Sequence, residues 1–147
     1  MVNHRVVDNW TAVELKLINQ KIESINEYLE TPNFKLWLGD DGVLRLRVKP
    51  GTYITSEIAK QTAEPVVAIV REKHAPLLIY MDGLKGIDRD ARLIYTGMSV
   101  PTPVALVGGS PIARVIGNYF ILINKPARLQ LRMFANEENA IKWLKGI

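Results

Sequence analysis

The chain has 147 residues, no cysteine, two histidines and a formal net charge of +4. This length fits one domain that buries roughly 70% of the surface its unfolded chain exposes. Without cysteine there are no disulfides, thiolate metal sites or cysteine nucleophiles, and His4 and His74 lie too far apart in sequence to suggest a zinc site. No apolar run approaches the ~20 residues of a membrane span, and the start lacks a secretory pattern. We therefore expect a cytoplasmic protein with no membrane span and no cofactor.

The first predicted element is an amphipathic helix over residues 11–30, which makes residues 1–32 a helical extension. Its apolar positions are Leu15, Ile18, Ile22, Ile25 and Leu29. Spacings of three and four residues are typical of a narrow helical stripe. Two interpretations stay open, because such a stripe packs either on its own domain or against a second copy in a homodimer.

Residues 34–38 and 44–48 alternate between apolar and polar side chains on either side of a Gly-Asp-Asp-Gly turn, which predicts a β-hairpin. The polar face carries Lys35, Trp37, Arg45 and Arg47. Basic side chains beside an aromatic ring can hold single-stranded nucleic acid. A face that is solvated or covered by the N-terminal helix is the simpler interpretation, so we do not expect nucleic-acid binding.

Helices and strands alternate through the rest of the chain. Thr55 predicts a helix start, and Pro65 predicts a kink or break within that helix. The apolar runs "PLLIYM" and "VALVG" are typical of central parallel strands. Ser110 followed by proline predicts another helix start. The apolar face of that helix is predicted to consist of Ile112, Val115, Ile116, Tyr119, Phe120 and Ile123.

A strand over "RLQLRMF" and a helix capped by Asn136 close the chain. After the first helix the predicted order is β-β-α-β-α-β-α-β-α, which predicts a single α/β domain over residues 33–147. Its sheet is expected to be mixed, mostly parallel and five-stranded, with the first strand antiparallel at one edge.

The segment "YMDGLKGIDRDAR" places three carboxylates just after a predicted central strand. Paired carboxylates can act as acid and base or hold a hard cation, and this end of a parallel strand is the usual side for ligands. The segment brings no nucleophile, however, and its basic residues neutralise the acids. Helix capping or partner recognition explains the pattern better, so we expect no catalytic and no metal-ligating residue. The partner-binding candidates are Asp82, Lys85, Asp88, Arg89 and Asp90.

The segment "VGGSP" offers a second candidate site, because glycines before a helix start can cradle phosphate. Its pattern is looser than the Walker loop or the dinucleotide fingerprint, and a turn followed by a cap explains it more simply. The apolar excess over residues 119–123 favours a pocket or a contact with lipid. The ligand-binding candidates are Gly108, Gly109, Ser110 and Tyr119.

The element order, "LLIYMDGLKGID" and the closing "RMFANEENAIKWL" resemble STAS-type domains, the fold of anti-sigma-factor antagonists and of the cytoplasmic tails of sulfate transporters. The chain is also similar to small bacterial STAS-like proteins of unassigned function that are grouped with lipid-carrier (CRAL-TRIO-like) domains. The resemblance covers about residues 34–147.

The resemblance implies a non-enzymatic regulatory or protein-interaction module. In antagonist domains a serine at the start of a helix is phosphorylated to switch partner binding. Ile87 and Asp88 match the antagonist motif, but Arg89 and Asp90 stand where its serines would be. We therefore expect partner binding that is constitutive or controlled elsewhere. A carrier of a small apolar ligand or lipid is the alternative, and a phosphate- or nucleotide-binding enzyme comes third.

Overall fold

The computed structural model describes residues 12–13, 28–124 and 129–146. The strands within these ranges are β1 (Tyr28–Glu30), β2 (Phe34–Leu38), β3 (Leu44–Val48), β4 (Thr52–Ile54), β5 (Leu77–Tyr80), β6 (Leu84–Ile87), β7 (Val104–Val107) and β8 (Leu131–Phe134). The helices are α1 (Ser56–Lys73), α2 (Arg89–Thr96), α3 (Pro111–Ile123) and α4 (Glu137–Lys145).

The main sheet has the order β1-β2-β3-β5-β7-β8. β2 pairs antiparallel with both β1 and β3. The strands β3, β5, β7 and β8 run parallel to one another. The five predicted strands are therefore present in one sheet. Their predicted number was wrong, because β1 adds a sixth strand at the edge of β2 among the described residues.

The predicted helix over residues 11–30 lies mostly outside the described residues, as does most of the stripe proposed for dimerisation. Ala12 and Val13 are helical. The prediction was wrong for its last three residues, which form β1. Leu29 is buried in the core from this strand. A single apolar side chain can reach the core from either kind of element, so spacing alone did not reveal the change.

A small parallel ribbon of β4 and β6 lies apart from the main sheet and was not predicted. The ring of Tyr53 packs so closely on Gly86 that a Cβ atom there would lie 2.7 Å from the ring carbons. The segment predicted as an acidic loop therefore contains a strand that is fixed by its neighbour.

The two faces of the sheet have separate cores. The larger core lies beneath α1, α2 and α3, and the smaller one lies beneath α4 around Leu78, Ala105 and Leu144. Thr55 caps α1 as predicted, but α1 continues without a break through Pro65, whose ring is fully buried. Burial of the ring offsets part of the cost of the hydrogen bond that proline cannot make.

Candidate functional site

The two segments singled out by the sequence meet at the carboxyl ends of β5 and β7. These strands are parallel neighbours, with Tyr80 opposite Val107. The chain leaves β5 into Asp82 and leaves β7 into Gly109 and Ser110. Oδ1 of Asp82 accepts hydrogen bonds from the backbone N–H groups of Gly109 and Ser110, each at 2.9 Å. The sequence did not predict this contact, although it placed both segments at the ends of central strands.

Asp82 thereby occupies the position that an anion would take at the start of α3. Free N–H groups and the helix dipole attract negative charge there. Ser110 caps α3 through Oγ, which accepts the N–H of Ala113 at 3.1 Å. A Cβ atom on Gly108 would lie 2.9 Å from the Ala113 side chain and 3.3 Å from Oδ1 of Asp82. The glycine thus permits this close packing. The carboxylate of Asp82 already uses the backbone N–H donors that a bound phosphate would need.

Asp88 also serves the backbone. Its Oδ1 accepts the N–H of Ala91 at 2.8 Å as the N-cap of α2, and its own N–H donates to Ile54 in the ribbon. This is the capping role that the sequence favoured for the residue. Lys85, Arg89 and Asp90, the other partner-binding candidates, have exposed side chains around the start of α2.

A row of exposed apolar side chains runs along α3. Val115 is 69% exposed and Leu122 is 64% exposed, with Ile112 and Tyr119 in the same row. Of the six residues predicted to form the apolar face of this helix, Ile116 and Phe120 are half-buried, whereas Ile112, Val115, Tyr119 and Ile123 are exposed. Apolar residues therefore cover more of the helix than its inward face.

The exposed sides of α2 and α3 adjoin each other. The guanidinium of Arg92 on α2 lies 5.4 Å from the ring centre of Tyr119 on α3. Leu93, the next residue on α2, is also exposed. We define the α2–α3 surface as the following set: Lys85, Arg89, Asp90, Arg92, Leu93, Ile112, Val115, Tyr119 and Leu122.

A cavity of about 150 Å³ lies on the inner side of the same two helices. Ile116 and Phe120 of α3 line it, whereas Tyr119 does not. The ring of Tyr95 also contributes, while its hydroxyl lies 2.6 Å from Oγ1 of Thr62. Burial raises the pKa of Tyr95 to about 12, so this side chain stays neutral near pH 7.

The basic and aromatic residues of the hairpin face contact one another. The rings of Trp37 and Tyr80 stack with centres 6.0 Å apart, and the guanidinium of Arg47 lies 4.2 Å from the centre of the Tyr80 ring. Arg45 pairs with Asp41 at 2.8 Å, and its hydrogen bond lowers the pKa of Asp41 to about 2. These internal contacts give no added support to nucleic-acid binding.

Among the described residues, no group of three acidic, histidine or cysteine side chains could hold a metal ion. None of the helices in the described ranges is both long enough and apolar enough to cross a membrane.

Comparison with known proteins places this geometry in a fold. Residues 36–147 match a family described as a domain of unknown function, DUF7793. The chain is similar to the anti-sigma factor antagonist SpoIIAA in its unphosphorylated form, with 17% identity and a TM-score of 0.55 over 78% of this chain and 99% of that one. It is also similar to an uncharacterised DUF3478 protein with a SpoIIAA-like fold from Shewanella loihica PV-4, with 15% identity and a TM-score of 0.53 over 79% and 98% of the two chains.

No curated protein matches the chain. The two solved structures confirm the STAS-like fold that the sequence resemblance predicted. Identities this low show the fold alone, because proteins of one fold carry many functions.

Proposed function

We propose that this chain is a regulatory module that binds a protein partner and is not an enzyme. It belongs to the DUF7793 family of unknown function and shares the fold of an anti-sigma factor antagonist. The row of exposed apolar side chains on α3 carries the proposal. A contiguous exposed apolar patch with a polar border is a common mark of an interaction site. The α2–α3 surface has this arrangement, with Val115 and Leu122 in the apolar row and Arg92 beside Tyr119 of the same row.

The engaged carboxylates favour binding over catalysis. Asp82 and Asp88 each accept backbone hydrogen bonds that hold the start of a helix. A general acid or base must be free to exchange its proton with a substrate, whereas these two carboxylates accept backbone N–H groups and so stabilise the local fold. They act as positioning residues, and the direct contacts fall to Lys85, Arg89 and Asp90.

The charges on this surface indicate the chemistry of the partner. Three basic residues and one acidic residue have exposed or half-buried side chains there. They are Lys85, Arg89, Arg92 and Asp90. A partner that presents an apolar patch bordered by carboxylates would complement both features, since matched charges favour encounter and specificity.

The start of α2 supports binding without a phosphorylation switch. Its cap and first turn read Asp88-Arg89-Asp90-Ala91, which contains no hydroxyl group. A phosphate on a serine there would add negative charge at the positive end of the helix. Asp90 supplies a negative charge permanently, so partner binding is constitutive or is controlled at another site.

The proposal is tested by one exposed substitution and a matched control. Val115→Asp places a charge in the apolar row, and Val13→Asp makes the same change at a residue that is 66% exposed on another segment. Each tagged variant is used to capture proteins from its host with a crosslinker, and the captured proteins are quantified by mass spectrometry. A partner that is depleted at least about tenfold by Val115→Asp, a loss of roughly 1.4 kcal/mol, and is retained by Val13→Asp supports the proposal.

Binding of the purified partner then provides the direct test. Arg89→Glu should weaken the affinity several-fold, with a larger effect at low salt, because the border charges attract the partner. Three results would contradict the proposal: equal capture by both variants, a dimer of the chain that dissociates only in Val115→Asp, or binding to lipid vesicles that only Val115→Asp abolishes.

A further inference from the structure

The cavity beneath α3, at about 150 Å³, has room for several water molecules. Protein interiors are packed as densely as organic crystals, and voids larger than one water molecule are few. The floor of this space adjoins strands whose side chains, such as Leu77, are fully buried. An opening of about 150 Å³ beside such packing calls for a functional explanation.

The walls of the cavity are apolar. The sheet supplies the floor, and α2 and α3 supply the roof. Representative lining residues are Leu46, Ile79, Leu106, Tyr95, Ile116 and Phe120.

The polar groups at the edge of the cavity form hydrogen bonds with other residues of the same chain. The hydroxyl of Tyr95 bonds to Thr62, and the side-chain amide of Asn124 donates to the carbonyl of Leu129 at 2.8 Å. No charged side chain of the described residues lines the space. Among the described lining residues, the charge of a nucleotide or a phosphate would find no partner, which is costly in an apolar site.

We propose that this cavity is a binding site for a neutral hydrocarbon group of about six carbons, carried by a small molecule or by the end of a longer chain. A dry cavity of about 150 Å³ lined by Leu, Ile and Phe can hold one benzene molecule, which sets the size of the group. Dispersion contacts and the release of apolar surface from water provide the affinity. The proposal is independent of the partner-binding function, because its residues lie on the inner side of α3 and the α2–α3 surface lies on the outer side.

A series of straight-chain alkanols from butanol to octanol tests the site on the complete chain. Dissociation constants are measured by titration in ¹H–¹³C methyl NMR spectra, in which lining and outer residues give separate signals. Each added methylene should tighten binding about fourfold while the cavity fills. The gain should stop near six carbons, because a cavity of about 150 Å³ is then full.

Two filling variants and a control locate the binding. Ile116→Phe and Leu131→Phe add volume at half-buried lining residues of α3 and β8, and Ile141→Phe makes the matched change at a half-buried residue on the opposite face of the sheet. Either filling variant that keeps the wild-type melting profile should weaken hexanol binding at least tenfold, whereas Ile141→Phe should leave it unchanged.

Several outcomes would overturn the proposal. An absence of saturable alkanol binding to the wild-type chain would do so without any variant. Affinity that keeps rising through octanol with no stop, or binding that is lost in Val115→Asp and kept in Ile116→Phe, would assign the alkanols to the outer surface of α3. A stop near six carbons together with shifts confined to the lining methyl groups would support the site even if both filling variants failed to fold.

Discussion

Replacement of Asp82 by alanine should destabilise the fold without directly removing a partner contact. The carboxylate holds two backbone N–H groups at the start of α3 through a single oxygen, each at 2.9 Å. The substitution leaves these donors to water and removes a negative charge from the positive end of the helix. We therefore expect the start of α3 to loosen, and the free energy of unfolding to fall.

The magnitude follows from these contacts. Each hydrogen bond is taken at about 1 kcal/mol, below the roughly 1.5–3 kcal/mol of bonds to charged groups because Asp82 is exposed, so the two together give a loss of about 2 kcal/mol. Asp82→Asn keeps an acceptor oxygen and should lose about half of that. For a domain of this size, 2 kcal/mol corresponds to a fall in Tm of roughly 4–8 °C.

Urea denaturation followed by circular dichroism measures these differences. Asp90→Ala is the control, because this exposed carboxylate in the first turn of α2 should contribute only about 0.5 kcal/mol. If Asp82→Ala were as stable as the wild type within about 0.5 kcal/mol, the carboxylate would not be holding α3. Asp82 would then be available for substrate or metal, and the enzymatic interpretation would regain its main support.

Three further predictions concern single side chains. Asp88→Ala should cost about 1 kcal/mol in urea denaturation, since the N-cap of α2 is lost, and Asp88→Asn should recover most of it. Burial raises the pKa of Tyr95 to about 12 from an ordinary 10.0, so its contribution to stability is complete below pH 10 and is lost as the pH rises to about 12. Tyr95→Phe should therefore flatten the alkaline limb of Tm against pH, and an unchanged limb would contradict this. The pKa of Asp41 is lowered from 3.8 to about 2, chiefly by its hydrogen bond with Arg45, so its contribution is present above pH 4 and is lost as the pH falls to about 2. Because both side chains remain partly accessible to solvent, which screens the pair, Asp41→Asn should reduce the acid-dependent loss by less than about 1 kcal/mol.

The elements that the sequence predicted well are those whose signals are local. The hairpin of β2 and β3 has one alternating pattern in each strand and a glycine-rich turn between them, so both strands were predicted from the sequence. Ser110 before a proline located the start of α3 for the same reason. The strands β1, β4 and β6 were missed because three or four residues are too few to show an alternation that a helix or turn would not also allow.

The candidate site was predicted in part. Asp82, Gly109 and Ser110 were each singled out, but their contact spans 27 and 28 residues and depends on β5 lying beside β7. The sequence predicts two consecutive apolar strands that run parallel, so the proximity of their carboxyl ends could have been predicted as well. The two hydrogen bonds could not, because they depend on the rotamer of one side chain.

The two sides of α3 show why apolar periodicity cannot separate a core from a binding surface. Phe120 lines the cavity, and Leu122, two residues later, is 64% exposed. Both residues read as equally apolar in the sequence, and a helix that is apolar around most of its circumference needs cover on more than one side. Polar substitutions distinguish the two roles: Leu122→Ser should change stability by less than about 0.5 kcal/mol, whereas Phe120→Ser removes packing between α3 and the sheet and should cost several kcal/mol. Apolar residues on the inner side are therefore accounted for by folding and by the cavity, while those on the outer side are the residues that the proposed partner would cover.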